Sequence, residues 1–280
     1  MKEILSRKSI KCTLIIIFCA FVITVLHGIV SLFFPVFLPA EQSSIVTKIG
    51  FPLTSFFFFI LAFSCIALVF CKYQAKFNGS KIKKGLIFGI SFGLIWLWGL
   101  IENSVLFGSP LIDDFVTGFV DFLGVFAFAL MLGWLCFSNN VQKTEKSCGI
   151  NSKILLVIVF AVVFCIGRYI VYSFDFILST YQERPYATLI WTLIFGVLIA
   201  IKYFMLEDLS KSKLPIRKSF EFGIIIFGLN WLVFCAFIPI FVKISAVELL
   251  VRVILDIIVV ILSCYVTVSI EKRFVNKKRK

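Results

Sequence analysis

The amino-acid sequence predicts an all-α polytopic membrane helix bundle of about eight transmembrane helices, arranged as two parallel four-helix repeats over residues 1–140 and 141–280. Three observations lead to it: an apolar composition, eight separated apolar runs and an alternation of basic loops. Hydrophobic residues make up 61% of the chain and charged residues 15%; soluble domains have about half and about a quarter. A helix rising about 1.5 Å per residue needs about 20 mostly apolar residues to cross a bilayer. Runs of that size lie at 12–38, 50–71, 85–107, 114–137, 153–178, 186–206, 219–242 and 246–270. No polar stretch between them is long enough for a soluble domain.

The first run follows Lys2, Arg7, Lys8 and Lys11, as a signal peptide would. It continues through Leu38, beyond the roughly 7–15 apolar residues of a signal sequence, so a retained helix that sets orientation is expected. Pro52 and Pro185 stand just ahead of the second and sixth runs. The third contains "GLIFGISFG", whose Gly85, Gly89 and Gly93 share one helix face and predict close packing against a neighbour.

Orientation follows from the basic residues. Of 28 Lys and Arg, Lys48, Arg184 and Lys243 fall in one set of loops, Arg168 and Arg252 lie within spans, and the other 23 fall in the N-terminus, the C-terminus and the alternate loops. Lys and Arg are retained on the cytoplasmic side. Both termini are therefore expected in the cytoplasm, with the chain integral to the cell membrane and lipids as its constant partners. The net charge of +13 is distributed in this way and does not indicate a nucleic-acid surface. None of the nine cysteines falls in an expected external loop or forms a CxxC, which predicts free thiols.

An internal repeat is legible. An offset of 135 residues pairs "GLIWL" (93–97) with "GLNWL" (228–232), including Trp96 with Trp231, and pairs Asp121 with Asp256. An offset of 133 pairs Pro52 with Pro185, and one of 141 sets His27 against Arg168. Halves containing an even number of spans share one orientation, and a pseudo-two-fold axis along the membrane normal is the expected relation between them.

Charged residues deep in a span cost about 2.5–3.5 kcal/mol each on insertion scales, and they mark function or internal pairing. The interior holds Asp121, Asp256, Arg168 and Arg252, whose charges sum to zero. Arg252 and Asp256 stand at i, i+4, close enough to pair on their own helix, so Arg252 is read as the local compensation of Asp256. Polar stripes run along Thr24, His27 and Ser31; Thr117, Asp121 and Gly124; Arg168, Tyr172 and Asp175; and Arg252, Asp256, Ser263 and Thr267. They are expected to converge on a polar interior between the halves. Asp121, Asp256, Arg168, Arg252, His27, Tyr172 and Asp175 are thus the candidates for a substrate or ion path.

Glu102, Asn103, Asp113 and Asp114, with Glu248, would make the outer vestibule acidic, which is read as ordinary interfacial solvation ahead of a cation-attracting mouth. A single histidine cannot build a multi-histidine metal centre, and no cofactor motif or GxSxG is present, so no catalytic residue, metal or cofactor is assigned. The leading reading is a small transporter or permease for an unknown small molecule or ion. The alternative is a non-transporting accessory, sensor or immunity-type protein whose charges form static salt bridges, and a lipid-acting membrane enzyme is third. A homo-oligomer and an accessory subunit are both compatible with these features.

Overall fold

The computed structural model describes residues 2–34, 41–77, 79–137, 139, 149–174, 179–206 and 214–277. Among them, eight helices are long and apolar enough to cross a membrane: Ser9–Val30, Phe51–Tyr73, Lys81–Phe107, Leu111–Cys136, Ile150–Tyr172, Pro185–Met205, Pro215–Phe241 and Ala246–Phe274. The chain is a multi-pass all-α membrane protein. The first helix, α1 (Lys2–Val30), stops earlier than its apolar run. Ser31 Oγ bonds the Gly28 carbonyl, and the amides of Phe33 and Phe34 both turn back to the Val30 carbonyl.

Two compact units share the chain: Met1–Val141 with Val233–Ala246, and Gln142–Leu232 with Val247–Lys280. The first contains α1, the short α2 (Ser44–Ile49), α3 (Phe51–Tyr73), α4 (Lys81–Leu100), the short α5 (Glu102–Phe107) and α6 (Leu111–Cys136). Ser80 caps α4 by accepting from the Lys83 amide. The glycine face of α4 meets α6 as its spacing predicts. A Cβ at Gly85 would stand 2.8 Å from the Ala129 carbonyl oxygen, and one at Gly93 would stand 2.8 Å from Phe122 Cδ2. Stacked rings fill the rest, with Phe63 against Phe128 at 4.5 Å and Phe70 against Phe88 at 4.2 Å.

Residues Val233–Ala246 join this unit through specific contacts. Phe237 packs edge-on to Phe58 at 5.7 Å, and Phe234 lies 5.5 Å from Trp96. The Ser43 amide donates to the Phe241 carbonyl, its hydroxyl donates to that of Ile240 at 2.5 Å, and the Lys243 amide donates to that of Glu41.

The second unit contains α7 (Ile150–Tyr172), α8 (Pro185–Met205), α9 (Pro215–Phe220), a π-helical segment (Glu221–Gly228), the first residues of α10 (Leu229–Phe241) and α11 (Ala246–Lys277). Gly196 of α8 admits the backbone of Ala161 on α7, to which a Cβ would come within 3.0 Å. Gly223 and Gly228 of the π segment face Ile261 and Ile257 of α11. The eight described cysteines other than Cys148 are free.

Candidate functional site

In the first unit α1 and α6 cross at a glycine. A Cβ on Gly124 would lie 2.1 Å from Ile23 Cδ1, so the Ile23 side chain occupies the space that this glycine leaves. One turn along α1 from Ile23 is His27, and nearly one turn back along α6 from Gly124 is Asp121. The crossing therefore brings them together: His27 Nε2 and Asp121 Oδ1 are 2.8 Å apart. Asp121 is buried and His27 half-buried, with its ring stacked on Phe59 at 5.4 Å. Buried charge is tolerated in such a pair because each partner replaces part of the other's lost hydration.

This pair forms one wall of a cavity of about 290 Å³ inside the first unit. Aromatic rings dominate the lining, among them Phe58, Phe59, Trp96, Phe234 and Phe237. The polar lining comprises His27, Asp121, Ser31, Gln42, Ser55 and Thr117, and includes no lysine or arginine. Thr117 is 4% exposed, and among the described residues nothing accepts from or donates to its hydroxyl.

In the second unit α7 and α11 cross with the glycine on the opposite partner: a Cβ on Gly167 would stand 2.7 Å from Val259 Cγ1. Arg168 follows that glycine, and its Nε lies 3.2 Å from Asp256 Oδ1. Trp231 Nε1 donates to Asp256 Oδ2 at 2.8 Å. The guanidinium carbon lies 5.4 Å from the Tyr172 ring centre and 5.0 Å from that of Trp191. Arg168 is 1% exposed and Asp256 2%, so this cluster is sealed.

Each unit thus joins a basic residue on its first long helix to an aspartate on its last, at positions paired in the sequence offsets. One member of each polar stripe takes part in these pairs: His27 with Asp121, and Arg168 with Asp256. Arg168, from another helix, and Trp231 hold the Asp256 carboxylate. The Gly167 crossing delivers the guanidinium straight to the carboxylate, and Arg252 sits half-buried one turn back on α11. The acids expected at the outer ends of the third and fourth spans lie at helix starts. Asp113 and Asp114 belong to the first turn of α6, where Asp114 is buried and accepts from Ser104 Oγ at 2.6 Å and from Ser109 Oγ, while Glu102 is buried as well. These acids serve a helix N-terminus, where negative charge is favourable. Asp175 lies outside the described residues.

Sequence reasoning did not foresee the aromatic walls. The signal available was the offset of 133 residues, which pairs Phe58 with Trp191 as it pairs the two prolines. Among the described residues, no three His, Cys, Asp or Glu side chains gather as metal ligands. No family model, curated protein or solved structure matches the chain.

Proposed function

We propose that this multi-pass membrane protein is a small transporter and that the cavity walled by His27 and Asp121 is its cargo site. The observation that carries the reading is a span-embedded carboxylate at the wall of a ligand-sized cavity. Ionisable groups inside the membrane characteristically line ion and substrate paths, and ligand pockets begin at about 300 Å³. The Arg168–Asp256 pair is assigned a structural role, because its members are enclosed by protein. The basic-loop pattern orients the chain with both termini in the cytoplasm. The cavity then lies toward the outer face, since its walls come from the last turns of α1 and α4 and the first turns of α3 and α6.

The test is flux into liposomes reconstituted with the purified chain across a panel of small solutes. Wild-type protein is expected to move at least one of them faster than protein-free liposomes, and Asp121→Asn to abolish that flux while eluting as a monodisperse species. Equal flux by Asp121→Asn would refute the assignment.

A second reading is favoured by one specific observation, the sealing of Arg168 and Asp256. In a non-transporting accessory or immunity-type protein the charges would only order the bundle. That reading expects no flux for any solute and full biological activity of Asp121→Asn.

A further inference from the structure

The second unit contains its own example of what a carboxylate among aromatic faces binds. There the Arg168 side chain places a cation beside Asp256, within about 6 Å of two ring centres, the range in which a cation is attracted to the negative face of an aromatic ring. The matched positions of the first unit keep the carboxylate (Asp121 for Asp256), one of the two rings (Phe58 for Trp191) and the indole beside the carboxylate (Trp96 for Trp231), while Ser31 stands where Tyr172 does. They differ at the cation. His27 stands at the position matched to Arg168, and its shorter side chain reaches Asp121 with one nitrogen and turns its face onto Phe59. Space for the rest of a cation stays open as the cavity beside it.

Resting on the transport reading, we propose that the cargo is a small organic ammonium cation, which binds in the first unit between the Asp121 carboxylate and the rings of Phe58, Trp96 and Phe237. Three features of the lining support a cation over an anion or a neutral molecule. The cavity has no lysine or arginine to neutralise an anionic group, and its carboxylate is positioned by a partner that leaves Oδ2 for a ligand. Its faces are aromatic, so they attract a quaternary or alkylated ammonium, which is too bulky and weakly hydrated to need a shell of hydrogen-bond acceptors. A cargo with a hydroxyl would also give the Thr117 hydroxyl, buried in the wall, a bonding partner. A bare metal ion fits less well, because the wall offers one carboxylate and few oxygen ligands where such ions take six or more.

The test is calorimetric titration of the purified full chain in detergent with choline, and separately with 3,3-dimethylbutan-1-ol, its uncharged carbon isostere. Choline is expected to bind saturably and the isostere at least about tenfold more weakly, since the two differ only in charge. Asp121→Asn should weaken choline binding by about tenfold or more, and Phe58→Leu by about three- to tenfold with little effect on the isostere. The wild-type comparison of choline with the isostere needs no variant, so it holds even if Asp121→Asn fails to fold. Equal binding of the two compounds, or choline binding unchanged by both substitutions, would overturn the inference. No choline binding alongside Asp121-dependent flux of another solute overturns the cation assignment and leaves the transport reading standing. Asp121-dependent choline binding with no flux of any solute supports the cation site and overturns transport.

Discussion

Arg168 and Asp256 meet at 3.2 Å in the second unit with 1% and 2% of their surfaces exposed. A buried charge that loses its partner is left uncompensated, and the cost is about 3–5 kcal/mol, whereas replacing both members by apolar residues of similar volume is often neutral. Arg168→Met or Asp256→Leu alone should therefore lower thermal stability sharply in detergent. The double variant should recover most of the loss. If each single variant melts within a degree of wild type, the pair is not the internal brace described here.

The α4–α6 seam gives a second prediction. Gly85→Leu or Gly89→Leu would drive side-chain atoms into the backbone of Ala129 or Phe126. Overpacking of this kind costs about 1–3 kcal/mol, and more where backbone must move. Gly28→Ala is the internal control, because a Cβ there meets nothing within 4 Å. Monodispersity on size exclusion after graded heating should fall for the first two and stay unchanged for the third.

Asp114 is predicted to matter for folding and not for cargo. Two serine hydroxyls reach it at the start of α6, and removing one side of such a contact costs about 1–3 kcal/mol. Asp114→Ala should lower the melting midpoint while the choline affinity of the surviving folded protein stays within about twofold. A selective loss of affinity at unchanged stability would return this residue to the binding machinery.

Orientation is testable by fusion reporters. A green fluorescent protein placed after Lys280 should fluoresce, and alkaline phosphatase fused after Ile49 or Ile244 should be active. Active phosphatase at the C-terminus would invert the topology and place the cavity mouth on the cytoplasmic side.

Much of this was legible in the sequence. The eight spans follow from apolar run length, and the Gly85–Gly89–Gly93 face from its four-residue period, because both depend on local geometry alone. The pairing of His27 with Asp121, and of Arg168 with Asp256, was visible only as matched positions. Which residue meets which is decided by where helices cross, and Gly124 and Gly167 lie at those crossings without matching each other in sequence position. Arg252 is the partner of Asp256 that sequence suggests, because i, i+4 spacing is the one contact a single helix reveals, and the contact with Arg168 is one it does not. The helix α1 stops at Val30, although hydropathy alone carried the first run through Leu38. The cavity itself could not be read at all. Phe58 and Phe237 lie far apart in the chain, one in a run of four phenylalanines and the other among aliphatic residues, and only packing separates a ring that lines a cavity from one that faces lipid.

The His27–Asp121 and Arg168–Asp256 pairs are assigned different roles, and one measurement compares them. Cargo flux is read in proteoliposomes containing wild-type protein, Asp121→Asn, or the double variant Arg168→Met with Asp256→Leu, each checked for monodispersity before reconstitution. The result predicted is loss of flux for Asp121→Asn and at least half of wild-type flux for the double variant. Retained flux in Asp121→Asn, or loss in the double variant alone, would contradict the assignment of the site to the first unit.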